Sequence, residues 1–201
     1  MIFSNSSRFS DNSHNFSISF AISLIIAISK PCKPVTSISK GSLKFAHIFL
    51  NGSKFAQDYQ KNQLGLLRAF ARFSADHPDH RLVLVGPVTA AAYYEGIAAE
   101  AKREGLADKV RIIEGLHPAD PMLPSAYKAA EMFALTSLHE PFGIVVLEAW
   151  AAGVPVLASR LGGIVDFATD GQTARLVDPE NEQALVEGLK ELADKIGRAH
   201  V

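Results

Sequence analysis

Two carboxylates eight residues apart, Glu140 and Glu148, stand in an otherwise largely apolar run, residues 139–163. Glu140 precedes a candidate helix and Glu148 lies inside it. About six helical residues at ~1.5 Å rise put roughly 9 Å between the helix start and Glu148. That is close to the span of a sugar–diphosphate–ribose unit. A helix start also offers unpaired N–H groups and a partial positive charge to a diphosphate or to sugar hydroxyls. The competing reading is structural: Glu140 caps the helix, and Glu148 pairs with a basic residue of the fold.

The elements that must hold these carboxylates follow from the neighbouring residues. Pro141 suits a first helical turn, where its missing N–H costs nothing. Ile144, Val145, Val146, Leu147, Ala149 and Trp150 make the helix apolar on most sides and predict that it is largely buried. Gly153 is placed for a left-handed C-cap, and Pro155 cannot continue the helix. Residues 155–159 have the short, apolar look of a central parallel strand, and Gly162-Gly163 free the backbone beyond its end.

Together, Glu140-Pro141-Phe142-Gly143, Glu148-Ala149, Gly153, Pro155-Val156 and Gly162-Gly163 resemble the donor-site motif of retaining GT-B glycosyltransferases, the glycosyl transferases group 1 family. The resemblance runs from Asp58 to about Lys195. It implies a nucleoside-diphosphate sugar as donor substrate, no cofactor, no metal, and transfer of the glycosyl unit with its anomeric configuration kept. By resemblance the catalytic residues are Lys61, which steadies the departing diphosphate, and Glu140, which contacts or positions the donor sugar. Donor binding falls to Glu148 on the ribose hydroxyls and to backbone around Phe142, Gly143 and Ile144. Leu116, in the loop near the nucleotide base, and Gly86, at a strand end, complete the donor-binding set. At Ala56 the chain departs from the family pattern, which has an arginine five residues before the lysine. Losing one of two cations that neutralise a leaving diphosphate removes several kcal/mol of transition-state stabilisation.

Length and composition bound this reading. A chain of 201 residues holds one ordinary domain with a tail, whereas a GT-B enzyme needs two Rossmann-like domains around its active site. The expectation is therefore a fragment, the C-terminal donor-binding half, inactive without an N-terminal acceptor-binding domain. The net charge of −1 gives no reason to expect nucleic acid, and the single cysteine, Cys32, excludes an internal disulfide. Residues 1–57 carry six Lys/Arg and one acidic residue, Asp11, against fourteen and twenty in residues 58–201. The serine-rich stretch 1–43 is unrelated to the family pattern, and its apolar part, residues 16–29, is short for a membrane span. The last residues, 196–201, match what one frame of a sequencing adapter encodes and read as a non-native tail. The domain proper is then 44–195, in a cytoplasmic protein or one peripheral to the inner membrane surface.

Between those limits strands and helices alternate. Strands are predicted at 44–50, 81–85, 110–113, 132–135, 155–159 and 174–177, with helices at 62–73, 89–104, 125–131, 141–152 and from Asn181 on. Asn62 and Asn181 are candidate N-caps. This rhythm predicts an α/β fold, a Rossmann-like parallel sheet with helices on both faces, with ligands at the carboxyl ends of the strands. His77 and His80 have metal-like spacing but lie in an acidic, proline-containing loop and read as solvated. No Gly-x-Gly-x-x-Gly follows a strand, no phosphate loop is present, and Ser159 lacks the glycine frame of a hydrolase nucleophile. A non-catalytic nucleotide-binding module and a ligand-free structural domain are the alternatives to a transferase.

Overall fold

The computed structural model describes residues 45–49, 58–86, 91–114 and 122–199. The serine-rich segment, Ala56, Leu116, Thr89 and Ala90 lie outside the described residues.

Short runs of apolar residues form six strands: β1 Phe45–Phe49, β2 Arg81–Gly86, β3 Val110–Glu114, β4 Phe133–Leu135, β5 Val156–Ser159 and β6 Arg175–Val177. All pair in parallel, in the order β3-β2-β1-β4-β5-β6. This is the doubly wound arrangement, whose order reverses between β1 and β4 and whose ligands sit beyond the strand ends at that reversal. The helices are α1 Gln63–Asp76, α2 Ala91–Arg103, α3 Met122–Ala129, α4 Ile144–Ala151, α5 Ile164–Phe167 and α6 Glu182–Ala199.

The alternation of side chains along β2, β4 and β5 builds two cores. Leu82, Leu84, Ala134 and Leu157 point to one face and pack with Leu66, Leu67, Phe70 and Phe73 of α1, Ile97 of α2 and Leu185 and Leu189 of α6. Val83, Val85, Phe133, Leu135, Val156 and Ala158 point to the other. There they meet Ala126 and Tyr127 of α3, Val145, Val146 and Ala149 of α4 and Ile164 of α5. The parallel sheet covered on both faces is therefore as expected.

Two caps behave as predicted. The Ala184 N–H donates to Asn181 Oδ1 at 3.0 Å, capping α6. At the end of α4, Gly153 adopts φ +75°, its N–H donates to the Trp150 carbonyl, and the Val154 N–H donates to the Ala149 carbonyl. This pair of bonds is a Schellman ending, which a left-handed glycine permits.

Other expectations are corrected. Asn62 precedes α1 but is left-handed, with φ +53°, and its side chain makes no capping bond. Its Nδ2 donates instead to the Pro179 carbonyl at 2.7 Å, tying α1 to the loop before α6. Helix α3 begins at Met122 rather than Ser125, because Pro124 fits within a first turn. Helix α4 begins at Ile144, with Pro141 and Phe142 in a bend ahead of it, because Gly143 takes φ +85° and breaks the helical path. Nor is α4 buried on most sides: Ile144 and Leu147 are exposed, and so is Phe142 ahead of it. His80 is buried rather than solvated, edge-on to Phe73, on which His77 stacks. Helix α6 itself spans Glu182 to Ala199.

Candidate donor site at the sheet reversal

The chain leaves β1 toward a turn of 3-10 helix, Asp58–Lys61, and leaves β4 into residues 136–140. The reversal in strand order places these two segments side by side. The Leu138 N–H donates to the Gln60 carbonyl at 2.6 Å, and the buried Thr136 Oγ1 lies 3.5 Å from the Lys61 carbonyl as its donor. Backbone contacts thus fix Lys61 against the loop that carries Glu140.

The side chains then meet. Lys61 Nζ donates to Glu140 Oε2 at 2.9 Å, with both side chains below a tenth exposed. Ser137 Oγ lies 3.3 Å from the same oxygen, and the Gly143 N–H donates to Oε1 at 3.1 Å. Both oxygens of Glu140 are therefore engaged. One of them receives a backbone N–H from the start of α4, where partial positive charge favours an anion. Glu140 thereby helps cap the helix, as the structural reading predicted. Its ion-pair partner is the very lysine singled out for the same site.

The double glycine has a steric role that sequence reading missed. Gly162 sits at φ +52°, and a Cβ there would lie 1.9 Å from the Glu140 carbonyl oxygen. A Cβ on Gly163 would lie 2.5 Å from the Pro141 carbonyl oxygen. The loop after β5 presses directly on the backbone of the Glu140 loop, and only glycines allow that approach. Ser159, at the end of β5, adds a tie by donating its hydroxyl to the Ser137 carbonyl at 2.7 Å.

Glu148 lies on α4, half-buried. The partner found for it is not basic: the Tyr127 hydroxyl, from α3, donates to Glu148 Oε2 at 2.7 Å. Burial pushes the Glu148 carboxyl above its ordinary value, and the tyrosine bond pulls against that rise. Burial also pushes the Tyr127 phenol far up, so it stays protonated as a donor. Tyr127 and Ser137 were missed from sequence. The only local signal for Tyr127 is an aromatic hydroxyl turned toward a core, which calls for a partner.

Of the other residues singled out, Phe142, Gly143 and Ile144 lie at the entry of α4 and Gly86 ends β2. Leu116 lies outside the described residues. Among the described residues no group of three or more His, Cys, Asp or Glu could hold a metal, and no helix is long and apolar enough to cross a membrane.

Comparison with known proteins gives a family and a fold. The sequence model of the family described as glycosyl transferases group 1 matches residues 56–199. The chain is 36% identical over 132 residues to the D-inositol 3-phosphate glycosyltransferase of Corynebacterium diphtheriae, a match covering 64% of this chain and 30% of that protein. It is 37% identical over 143 residues to the enzyme of that name from Segniliparus rotundus, covering 68% and 31%. Among solved structures, Anabaena Alr3699/HepE in complex with UDP and glucose aligns with TM-score 0.64 at 25% identity, over 78% of this chain and 39% of that one. The C-terminal domain of the Francisella tularensis group 1 protein LpcC aligns with TM-score 0.65 at 23% identity, over 78% of each chain, a likeness of fold. The chain spans less than a third of the length of these curated relatives.

Proposed function

The chain belongs to the glycosyl transferases group 1 family, and on that premise we propose that it is the donor-binding unit of a retaining glycosyltransferase. In this reading it holds a nucleoside-diphosphate sugar at the reversal between β1 and β4. The observation that carries the reading is the buried Lys61–Glu140 pair at the carboxyl ends of those strands, with Glu148 on the helix that Glu140 caps.

Each residue has a task set by its chemistry. Lys61 supplies positive charge to the diphosphate as it departs. Glu140 contacts the donor sugar, its carboxylate held in place by Ser137 and Gly143. The backbone N–H groups of Phe142, Gly143 and Ile144 are offered to phosphate oxygens, that of Gly143 being shared with Glu140 Oε1. Glu148 accepts the ribose hydroxyls, while Gly86 and Leu116 line the path of the nucleotide. Carboxylates meet hydroxyls and a cation meets phosphate, so the scheme calls on no metal or cofactor. Acceptor recognition belongs, in this reading, to an acceptor-binding domain of the GT-B architecture. A cytoplasmic setting, where nucleotide sugars are at hand, is part of the proposal.

Ala56 favours a second reading, a module that binds the nucleotide without transferring sugar. Turnover of a donor by the chain joined to a family N-terminal domain distinguishes the two. Donor binding is tested by titrating UDP, GDP and ADP into the full chain by calorimetry, with Glu148→Ala beside it. UDP leads the set because the Anabaena neighbour holds it. One nucleotide binds, and Glu148→Ala weakens it by ~1.5 kcal/mol or more, the scale of a hydrogen bond to a charged group. A folded chain that takes up none of the three overturns the assignment.

A further inference from the structure

The Tyr127–Glu148 contact sets a carboxylate in an unusual situation. Glu148 is half-buried, yet no cation pairs with it among the described residues. Among the described residues its one donor is a neutral hydroxyl, at 2.7 Å on Oε2. Oε1 accepts nothing within the described residues. Partial burial of a carboxylate costs free energy unless its oxygens are satisfied, and a fold in need of packing alone is served by phenylalanine at 127. The Tyr127 ring is itself buried, 6.0 Å from Phe133 of β4 between centroids, so its hydroxyl cannot swing away. One tyrosine bond leaves Oε1 and a second lone pair of Oε2, the acceptor capacity that a vicinal diol fills.

We propose that Tyr127 is a positioning residue that fixes the Glu148 carboxylate for the 2′,3′-diol of a nucleoside diphosphate. This rests on the donor-site reading above. Held by Tyr127, the carboxylate keeps one rotamer and presents Oε1 to the diol. Released, it rotates and protonates more readily, and the diol loses its acceptor.

The test uses the full chain and calorimetry with UDP, GDP and ADP, each beside its 2′,3′-dideoxy counterpart. The wild type favours the ribonucleotide that binds over its dideoxy form by about tenfold or more, the worth of a hydrogen bond to a charged group. Tyr127→Phe, which keeps the ring, weakens the ribonucleotide about fivefold or more and leaves the dideoxy compound within about twofold, a control for intact folding. It also moves the pH midpoint of ribonucleotide binding upward, because a carboxylate stripped of its donor protonates at higher pH. In a Glu148→Gln background the same substitution changes nothing further. Equal weakening of both compounds, or of neither, overturns the positioning role while leaving the donor site intact. A wild type that binds the two compounds alike, or binds none, sinks the donor-site reading itself and this proposal with it.

Discussion

The Nζ of Lys61 and the Oε2 of Glu140 stand 2.9 Å apart across 79 residues of chain, both side chains almost sealed from solvent. Such a pair loses much of its Coulomb gain to desolvation, so its presence says little about stability. In the proposed donor site the pair holds a cation and a carboxylate together at the sheet reversal, and the diphosphate of the donor is proposed to draw on the cation.

Removing one partner exposes the cost of burial. Lys61→Met leaves the buried Glu140 side chain without its cation, with Ser137 and Gly143 as its donors among the described residues, and costs about 3 kcal/mol in chemical denaturation. Adding Glu140→Leu to that variant recovers most of the loss. A double variant as unstable as the single one shows that the pair is not the source of the effect.

Gly162→Ala sets a Cβ 1.9 Å from the Glu140 carbonyl oxygen, at a left-handed backbone. Overpacking and strain together cost about 3 kcal/mol. The melting temperature drops and nucleotide uptake falls with it, whereas Gly171→Ala, also left-handed but facing open space, costs only the conformational strain. Equal losses at both positions are incompatible with the close approach of the two loops.

Burial pushes the Glu148 carboxyl above its ordinary value in the folded chain, against the pull of the Tyr127 hydrogen bond. Folding therefore favours its protonated form. The contribution is fully present below the unfolded value of about 4.5 and is lost as pH rises through the raised folded value. Glu148→Gln, an imitation of the protonated group, melts with the wild type near pH 4 and above it near pH 8, by a few degrees at most. A variant less stable at the higher pH contradicts this.

Asp170 behaves in the opposite sense. Burial alone would raise its pKa, but the Leu176 N–H and the guanidinium groups of Arg160 and Arg175 hold it at about 2. The stability it confers is present above the ordinary value of 3.8 and is lost as pH falls through about 2. Asp170→Asn costs about 2 kcal/mol at neutral pH, the scale of hydrogen bonds to a charged group, and flattens the acid limb of stability against pH. An unchanged acid limb rules the network out as its cause.

The sequence alone determined whatever is settled within a turn or two of chain. The strand–helix rhythm predicts the parallel sheet, Gly153 the end of α4 and Asn181 the start of α6, because periodicity and capping act over about four residues. The motif from Glu140 to Gly163 placed its loops and α4 at the carboxyl end of the sheet in the same way. Tertiary structure decided the partners. Glu140 found Lys61, Glu148 found Tyr127 instead of a base, Asn62 turned to Pro179, and His80 went inside. Each of these depends on which strands lie side by side. Strand order places β1 and β4 side by side although 83 residues lie between Phe49 and Phe133, and no local spacing encodes that adjacency.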